Sequence, residues 1–202
     1  MIIDETYLLS TNNYHEIESI KKQIVFGNTF NHNMRHVSGW LHRHNGNYKK
    51  TAAFTIDAAG IVYKHFEPKY QSNYFDNLKQ NSKSIIILLE NDGWLVKDKE
   101  KNEFISWLGH IYKEPENIVK KKWRGYDFWT PYSDEQIESA YELVNQLCEE
   151  FFIPKTAFDN NVKNNYLEEY SGVLYKSNLS NKFTDLSPAF DFEKFKNKIE
   201  TI

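Results

Sequence analysis

The stretch NSKSIIILLENDG, residues 81–93, runs five aliphatic side chains together, Ile85 to Leu89, before Asp92-Gly93 stops it. A run this short, unbroken by polar residues and closed by turn formers, reads as a strand covered on both faces. Such a strand needs partners beside it and helices above and below. QIVFGN, residues 23–28, supplies a second strand, and AAFTIDAAGIVYKHF, residues 52–66, reads as a hairpin in which Phe54, Ile56, Ile61 and Tyr63 flank a turn ending at Gly60. SDEQIESAYELVNQLCEEFFIP, residues 133–154, is a long amphipathic helix. Ser133 and Gln136 form its capping pair, Ile137, Ala140, Tyr141, Val144, Leu147, Cys148 and Phe151 repeat at helical spacing, and Pro154 closes it. MRHVSGWLHRHNG, residues 34–46, reads as a shorter helix with Val37, Trp40 and Leu41 on one face and Gly46 past its end. SGVLY, residues 171–175, is a further strand and DFEKFKNKI, residues 191–199, a terminal helix. Strands interleaved with helices make an α/β fold, and 202 residues fit one domain, 1–202.

The composition narrows the classes of function. Hydrophobic residues make up 40% and aromatic residues 16%, with 14 Phe and 13 Tyr, so a ring-rich core is expected. A net charge of -3 gives no long-range pull toward nucleic acid or anionic membranes, despite the basic KKKW at 120–123. The one cysteine, Cys148, lies on the apolar stripe of the long helix, which excludes a disulfide framework and argues against a Cys148–His110 nucleophilic pair. MIIDETYLLS at the start is acidic where an export signal is basic, and no apolar run approaches membrane-spanning length.

In their order, QIVFGNT, WLHRHNG, AAFTIDAAGIVY, the 81–93 strand, the 133–154 helix and the closing GVLYKSNLSNKFTDLSPAFDFEKF resemble the type 2 N-acetylmuramoyl-L-alanine amidases, a family that includes peptidoglycan recognition proteins and amidase-type phage lysozymes. The resemblance covers about residues 20–197. It implies a central mixed β-sheet flanked by helices, with a groove that holds zinc on two histidines and one anionic ligand. The fourth metal position would hold a water that attacks the amide between muramic acid and L-alanine.

Carried over position by position, most of that site is missing. The first zinc histidine falls on Gly27, followed by Asn28 and Thr29, and the family's Tyr-His pair before the hairpin falls on Ala52 and Ala53. The second histidine falls on Tyr175; the lysine before the acidic ligand falls on Phe183, next to Lys182; only Asp185 is retained. The seven histidines are His15, His32, His36, His42, His44, His65 and His110, so none can stand beside Asp185 on the last strand in any register. One carboxylate does not hold zinc against water, and no cofactor is expected. Tyr175 and Phe183 are expected to fill the floor of the groove.

The expectation is therefore a degenerate amidase-like domain, a cell-wall-binding or a structural or adaptor protein such as a phage virion component, whose partners are peptidoglycan fragments or phage structural proteins, with Asn28, Thr29, Glu90, Lys182 and Asp185 lining the groove. The alternative is an active amidase with a rearranged site. Glu90 could pair with Asp185 for acid–base work, though a carboxylate at a strand end is more often solvated. His32 and His36, four apart, would share one helix face as half of a metal site, and paired surface histidines are commoner than ligands. WRGYDFWTPY, residues 123–132, is either a stacking platform for sugars or partners, or packing beneath the long helix.

Overall fold

The computed structural model describes residues 2–167 and 169–201. Its main sheet has six strands in the order β1-β4-β3-β5-β2-β10. Their ranges are β1 Ile3–Asp4, β2 Gln23–Asn28, β3 Phe54–Ile56, β4 Val62–Lys64, β5 Ser84–Leu89 and β10 Gly172–Tyr175. Only β3 and β4 pair antiparallel, so the sheet is mixed. β2 and β5 run in register from Gln23↔Ser84 to Asn28↔Leu89, and every residue of both is buried. That is the physical reason their sequences do not alternate.

Pairing fixes which side chains share a face. Gly27 and Thr55 both pair with Leu88 and point to one side, whereas Phe26 pairs with Ile87 and Tyr175 and points to the other. Helix α1, Arg35–His42, covers the first face through His36, whose Nε2 lies 2.9 Å from Thr55 Oγ1. Helices α3, Asp134–Phe151, and α5, Phe192–Glu200, pack together on the second, where the Phe26 and Phe195 rings meet edge to face at 5.8 Å. Two short helices, α2 Leu78–Lys83 and α4 Lys176–Leu179, lead into β5 and out of β10.

Helix α3 begins where its cap dictates: Ser133 Oγ accepts from the Gln136 N–H at 3.1 Å and donates to the Ala58 carbonyl at 2.6 Å. The hairpin turn presses on this helix so closely that a Cβ on Gly60, at φ +81°, would lie 2.7 Å from the Glu135 carbonyl oxygen. Only glycine suits both the space and the dihedral.

Between β5 and α3 the chain builds a second, antiparallel sheet in the order β7-β6-β9-β8. Its strands are β6 Trp94–Asp98, β7 Glu103–Ser106, β8 Val119–Trp123 and β9 Tyr126–Trp129. The 123–132 aromatic stretch serves mainly as the packing of this sheet. Trp129 is fully buried and donates from Nε1 to the Lys121 carbonyl, while Tyr126 stacks on Trp94 with centroids 4.2 Å apart. Asn91 joins the two sheets, donating to the Pro131 carbonyl at 2.7 Å and accepting from the Thr130 hydroxyl at 2.6 Å.

Candidate functional site

Asp185 is 1% exposed, at the end of the loop that follows α4. Its Oδ2 accepts the Asn28 backbone N–H at 3.1 Å, which brings the final loop against the carboxyl end of β2. Gly27 lies directly beneath. A Cβ there would stand 2.8 Å from Asp185 Oδ2, 2.8 Å from the Tyr74 hydroxyl and 3.2 Å from Leu88 Cδ2. The volume that a ligating side chain at position 27 would need is filled by a carboxylate and a phenol.

The charge facing Asp185 is Lys176. Its Nζ lies 3.6 Å from Asp185 Oδ2, 4.8 Å from the centroid of Tyr74 and 4.6 Å from that of Phe183. Burial pulls the pKa of this ammonium down, but the Asp185 carboxylate and Tyr74 hydroxyl outweigh it and hold the lysine above its usual value. Burial raises the Tyr74 pKa; Lys176 opposes that shift and Asp185 adds to it.

Two sequence assignments are corrected here. Tyr175 does not fill the floor of the groove: its ring points to the opposite face, meets Phe192 at 4.6 Å and Phe190 at 5.7 Å, and donates to the Phe158 carbonyl. The next residue, Lys176, faces the site instead, since neighbours along an extended chain alternate in direction. Phe183 does lie at the groove, over the Lys176 ammonium. Lys182 is exposed, and the lysine beside Asp185 is Lys176.

The other predicted residues divide between two places. Asn28 stays with Asp185, and its Oδ1 accepts from the Tyr132 hydroxyl at 3.0 Å. Tyr132 in turn accepts the Ser187 N–H, and burial pushes its pKa up to about 12. Thr29 shapes the turn: its Oγ1 donates to the Asn31 carbonyl at 2.7 Å and accepts the Asn91 N–H at 3.3 Å. Glu90 lines a separate cleft of about 650 Å³ with His32, Asp92, His110, Tyr112 and Tyr132. Burial raises the Glu90 pKa, against the Met34 N–H that it accepts at 3.1 Å. His32 Nε2 lies 2.8 Å from Asp92 Oδ2, and that hydrogen bond raises the histidine pKa. Lys176, Tyr74 and Phe183 instead border a groove of about 460 Å³ with Tyr48, Lys50, Phe75, Asp76 and Asn77.

His32 and His36 do not share a helix face, because α1 starts at Arg35 and the two rings go to different places. His36 joins a buried chain whose direction follows from its end group. His65 Nδ1 lies 3.0 Å from the Tyr7 carbonyl, which can only accept, so that nitrogen carries the proton. His65 Nε2 then accepts from Thr55 Oγ1 at 2.9 Å, and Thr55 accepts from His36 Nε2 at 2.9 Å. His36 Nδ1 is left as a bare lone pair without a partner among the described residues. Burial, then His65, lowers the His36 pKa to about 3; burial lowers that of His65 to about 4, against the Tyr7 carbonyl.

Cys148 is buried on α3, and burial raises its thiol pKa to about 11. Among the described residues, no group of three or more His, Cys, Asp and Glu side chains could hold a metal ion. Around Asp185 the donor set does not fit zinc: one carboxylate, a glycine without room for a side chain, and a lysine ammonium. No helix among the described residues is long and apolar enough to cross a membrane.

The family described as N-acetylmuramoyl-L-alanine amidase matches residues 18–164, a span that ends before β10 and Asp185. Among solved structures the chain is similar to N-acetylmuramoyl-L-alanine amidase LysC from Clostridium intestinale URNW, at 13% identity and a TM-score of 0.56, covering 98% of this chain and 95% of that one. The endolysin amidase LysCS from the same organism gives 13% identity and 0.56, over 98% and 93%. PGRP-SA of Apis mellifera gives 12% and 0.49, over 96% and 92%. No curated protein sequence matches the chain. At these identities the likeness to solved structures speaks for the fold.

Proposed function

Because this chain belongs to the N-acetylmuramoyl-L-alanine amidase family, we propose that it is a peptidoglycan-binding domain that holds wall fragments without cutting them by the family's metal route. One observation carries this reading: Asp185 faces the ammonium of Lys176 at 3.6 Å and lies over a Gly27 whose side-chain space is filled. A cation on a flexible stem neutralises the one retained carboxylate. A zinc ion would have to displace it, and among the described residues no group of three or more ligating side chains could hold the ion.

The groove itself supports binding. Tyr48, Tyr74, Phe75 and Phe183 offer ring surfaces, and Lys50, Asp76 and Asn77 add polar groups at the rim. Rings with a few polar anchors suit a sugar carrying a short peptide.

The test is co-sedimentation of the purified chain with insoluble peptidoglycan, with zinc analysis and a search for newly freed L-alanine amino ends. Retention on the wall with neither zinc nor new amino ends is the expected result. Zinc near one per chain, or release above a blank, would overturn it. The same chain used as bait against phage structural proteins tests the other partner class, and capture there without wall retention would replace the present reading.

A second reading, an amidase with a rearranged site, is favoured by the His32–Asp92 pair and Glu90 in the 650 Å³ cleft. There a charge-supported imidazole and a carboxyl of raised pKa share one solvent space. It predicts measurable amide cleavage that His32→Ala and Glu90→Gln both abolish.

A further inference from the structure

We propose that the 650 Å³ cleft between the two sheets is a binding site for an organic cation that donates hydrogen bonds, a primary ammonium or a guanidinium. This goes beyond the wall-binding reading: the cleft is separate from the Lys176 groove, and the two ideas stand or fall independently.

The cleft wall presents acceptors that lack donors. Gln136 is 1% exposed, and its amide uses both hydrogens, on the Ile56 carbonyl at 2.8 Å and the Glu90 carbonyl at 3.1 Å. Its Oε1 accepts from nothing among the described residues, yet it is not sealed from the cleft that the residue borders. Asp92, 7% exposed, repeats the pattern: Oδ2 meets His32 Nε2 at 2.8 Å, while Oδ1 has no donor among the described residues. Acceptors on side chains this buried are costly to leave unpaired, and a ligand that donates to them relieves the cost. Glu90 stands beside them, held in place by the Met34 N–H at 3.1 Å and the Ala58 N–H, and a carboxylate keeps acceptor sites beyond two.

The charge around these acceptors favours a cation. His32, after β2, has its pKa raised first by the hydrogen bond to Asp92 and then, against burial, by the charges of Asp92, Glu90 and Glu114. Tyr112, after β7, is pushed up to about 12 by burial, with Glu114, Asp92 and Glu116 adding to the shift. Both halves of the wall therefore sit in a negative potential. Of the opposing charges, Lys113 is exposed and free to turn to solvent, and His32 is tied to Asp92. A bare metal ion suits the cleft poorly, because among the described residues no group of three or more His, Cys, Asp and Glu side chains could hold one. A cation with several N–H groups spans separated acceptors, and the guanidinium fork does so with fixed geometry.

The experiment is an NMR titration of the full chain, at fixed pH and ionic strength, with butylguanidinium chloride and with tetramethylammonium chloride, which carries the charge but no N–H. The imidazole resonances of His32 and His110, both on the cleft wall, are expected to shift with butylguanidinium. Its affinity is expected to exceed that of tetramethylammonium about tenfold or more, as charge-assisted hydrogen bonds allow. Glu90→Gln combined with Glu114→Gln keeps an acceptor for the Met34 N–H and is expected to weaken binding about tenfold in a chain that still melts cooperatively. Glu114 is exposed, so Glu114→Gln alone gives the same direction if the pair folds poorly. Equal affinity for the two cations, histidine resonances that do not move, or unchanged binding in the folded variants overturns the inference. An N-acetylated Ala-Arg-Ala amide, titrated alongside, tells the source of the cation. Tighter binding than butylguanidinium assigns the site to a basic side chain on a longer chain, and equal or weaker binding assigns it to a free small cation.

Discussion

The Lys176 ammonium and the Asp185 carboxylate oppose each other at 3.6 Å, and the second is almost wholly buried. Removing one member leaves the other charged in a poor solvent. Lys176→Met is expected to destabilise the chain by about 3 kcal/mol, the low end for a broken buried pair because the lysine keeps some exposure. Adding Asp185→Asn recovers most of the loss, since an amide oxygen can still accept the Asn28 N–H. Urea unfolding of both singles and the double gives the coupling; additive losses would deny the pair its role.

Gly27→Ala puts a methyl where Asp185 Oδ2 and the Tyr74 hydroxyl each stand at 2.8 Å. The expected cost is about 1–3 kcal/mol. Tyr74→Phe removes one of the two obstacles, so in that background the alanine costs less than it does alone. Gly27→His should neither acquire zinc nor fold as well as the native chain, measured by metal analysis and thermal melting.

Acid should unfold the protein earlier than its carboxylates alone would require. His36 and His65 have folded pKa values of about 3 and about 4, both below the 6.5 of a free histidine. The unfolded chain therefore binds more protons below pH 6.5, and their contribution, full above that value, is lost as pH falls. The slope is about 1.4 kcal/mol per pH unit for each ring, with both acting down to about pH 4 and His36 alone below it. His32, with its raised pKa, acts oppositely: its contribution is full below 6.5 and fades as pH rises. Urea midpoints at pH 7 and pH 5, in the native chain and in His65→Gln, test this. The variant should show the shallower dependence.

Arg124 reaches from the turn between β8 and β9 to the final loop, donating to the carbonyls of Ser177 at 3.0 Å, Ser180 at 2.9 Å and Phe183. Arg124→Ala is expected to raise amide hydrogen exchange across residues 177–185 without raising it in β2 and β5. It should also weaken ligand binding in the Lys176 groove, because Phe183 loses its tether. Uniform exchange across the chain would show a global effect instead.

The elements with the strongest internal signals were legible. Ser133 and Gln136 cap α3 as their spacing implies, and the runs at 84–89 and 23–28 are adjacent central strands. The second sheet was not. Its strands, such as VKKKW in β8, carry exposed lysines along an edge, so neither an apolar run nor a clean alternation announces them. At the site, Asp185 lies against Asn28, and the lysine that faces it is Lys176 rather than Lys182. The cause is one residue of register at the end of β10, which sends Tyr175 to one face and its neighbour to the other. Tyr74 carried no local signal, because its place beside Gly27 depends on contacts 47 positions apart in the sequence.

Arg124 grips the chain on both sides of β10 almost entirely by main-chain oxygens, that of Asn161 before the strand and those of Ser177, Ser180 and Phe183 after it, with Asn181 Oδ1 as the exception. A hold of that kind is indifferent to side-chain identity. Phe183 borders the groove with its side chain while Arg124 holds only its carbonyl, so that ring can be exchanged while the loop keeps its course, and this wall of the groove is open to re-tailoring. Ligand preference can drift by substitution on a scaffold that need not be rebuilt each time.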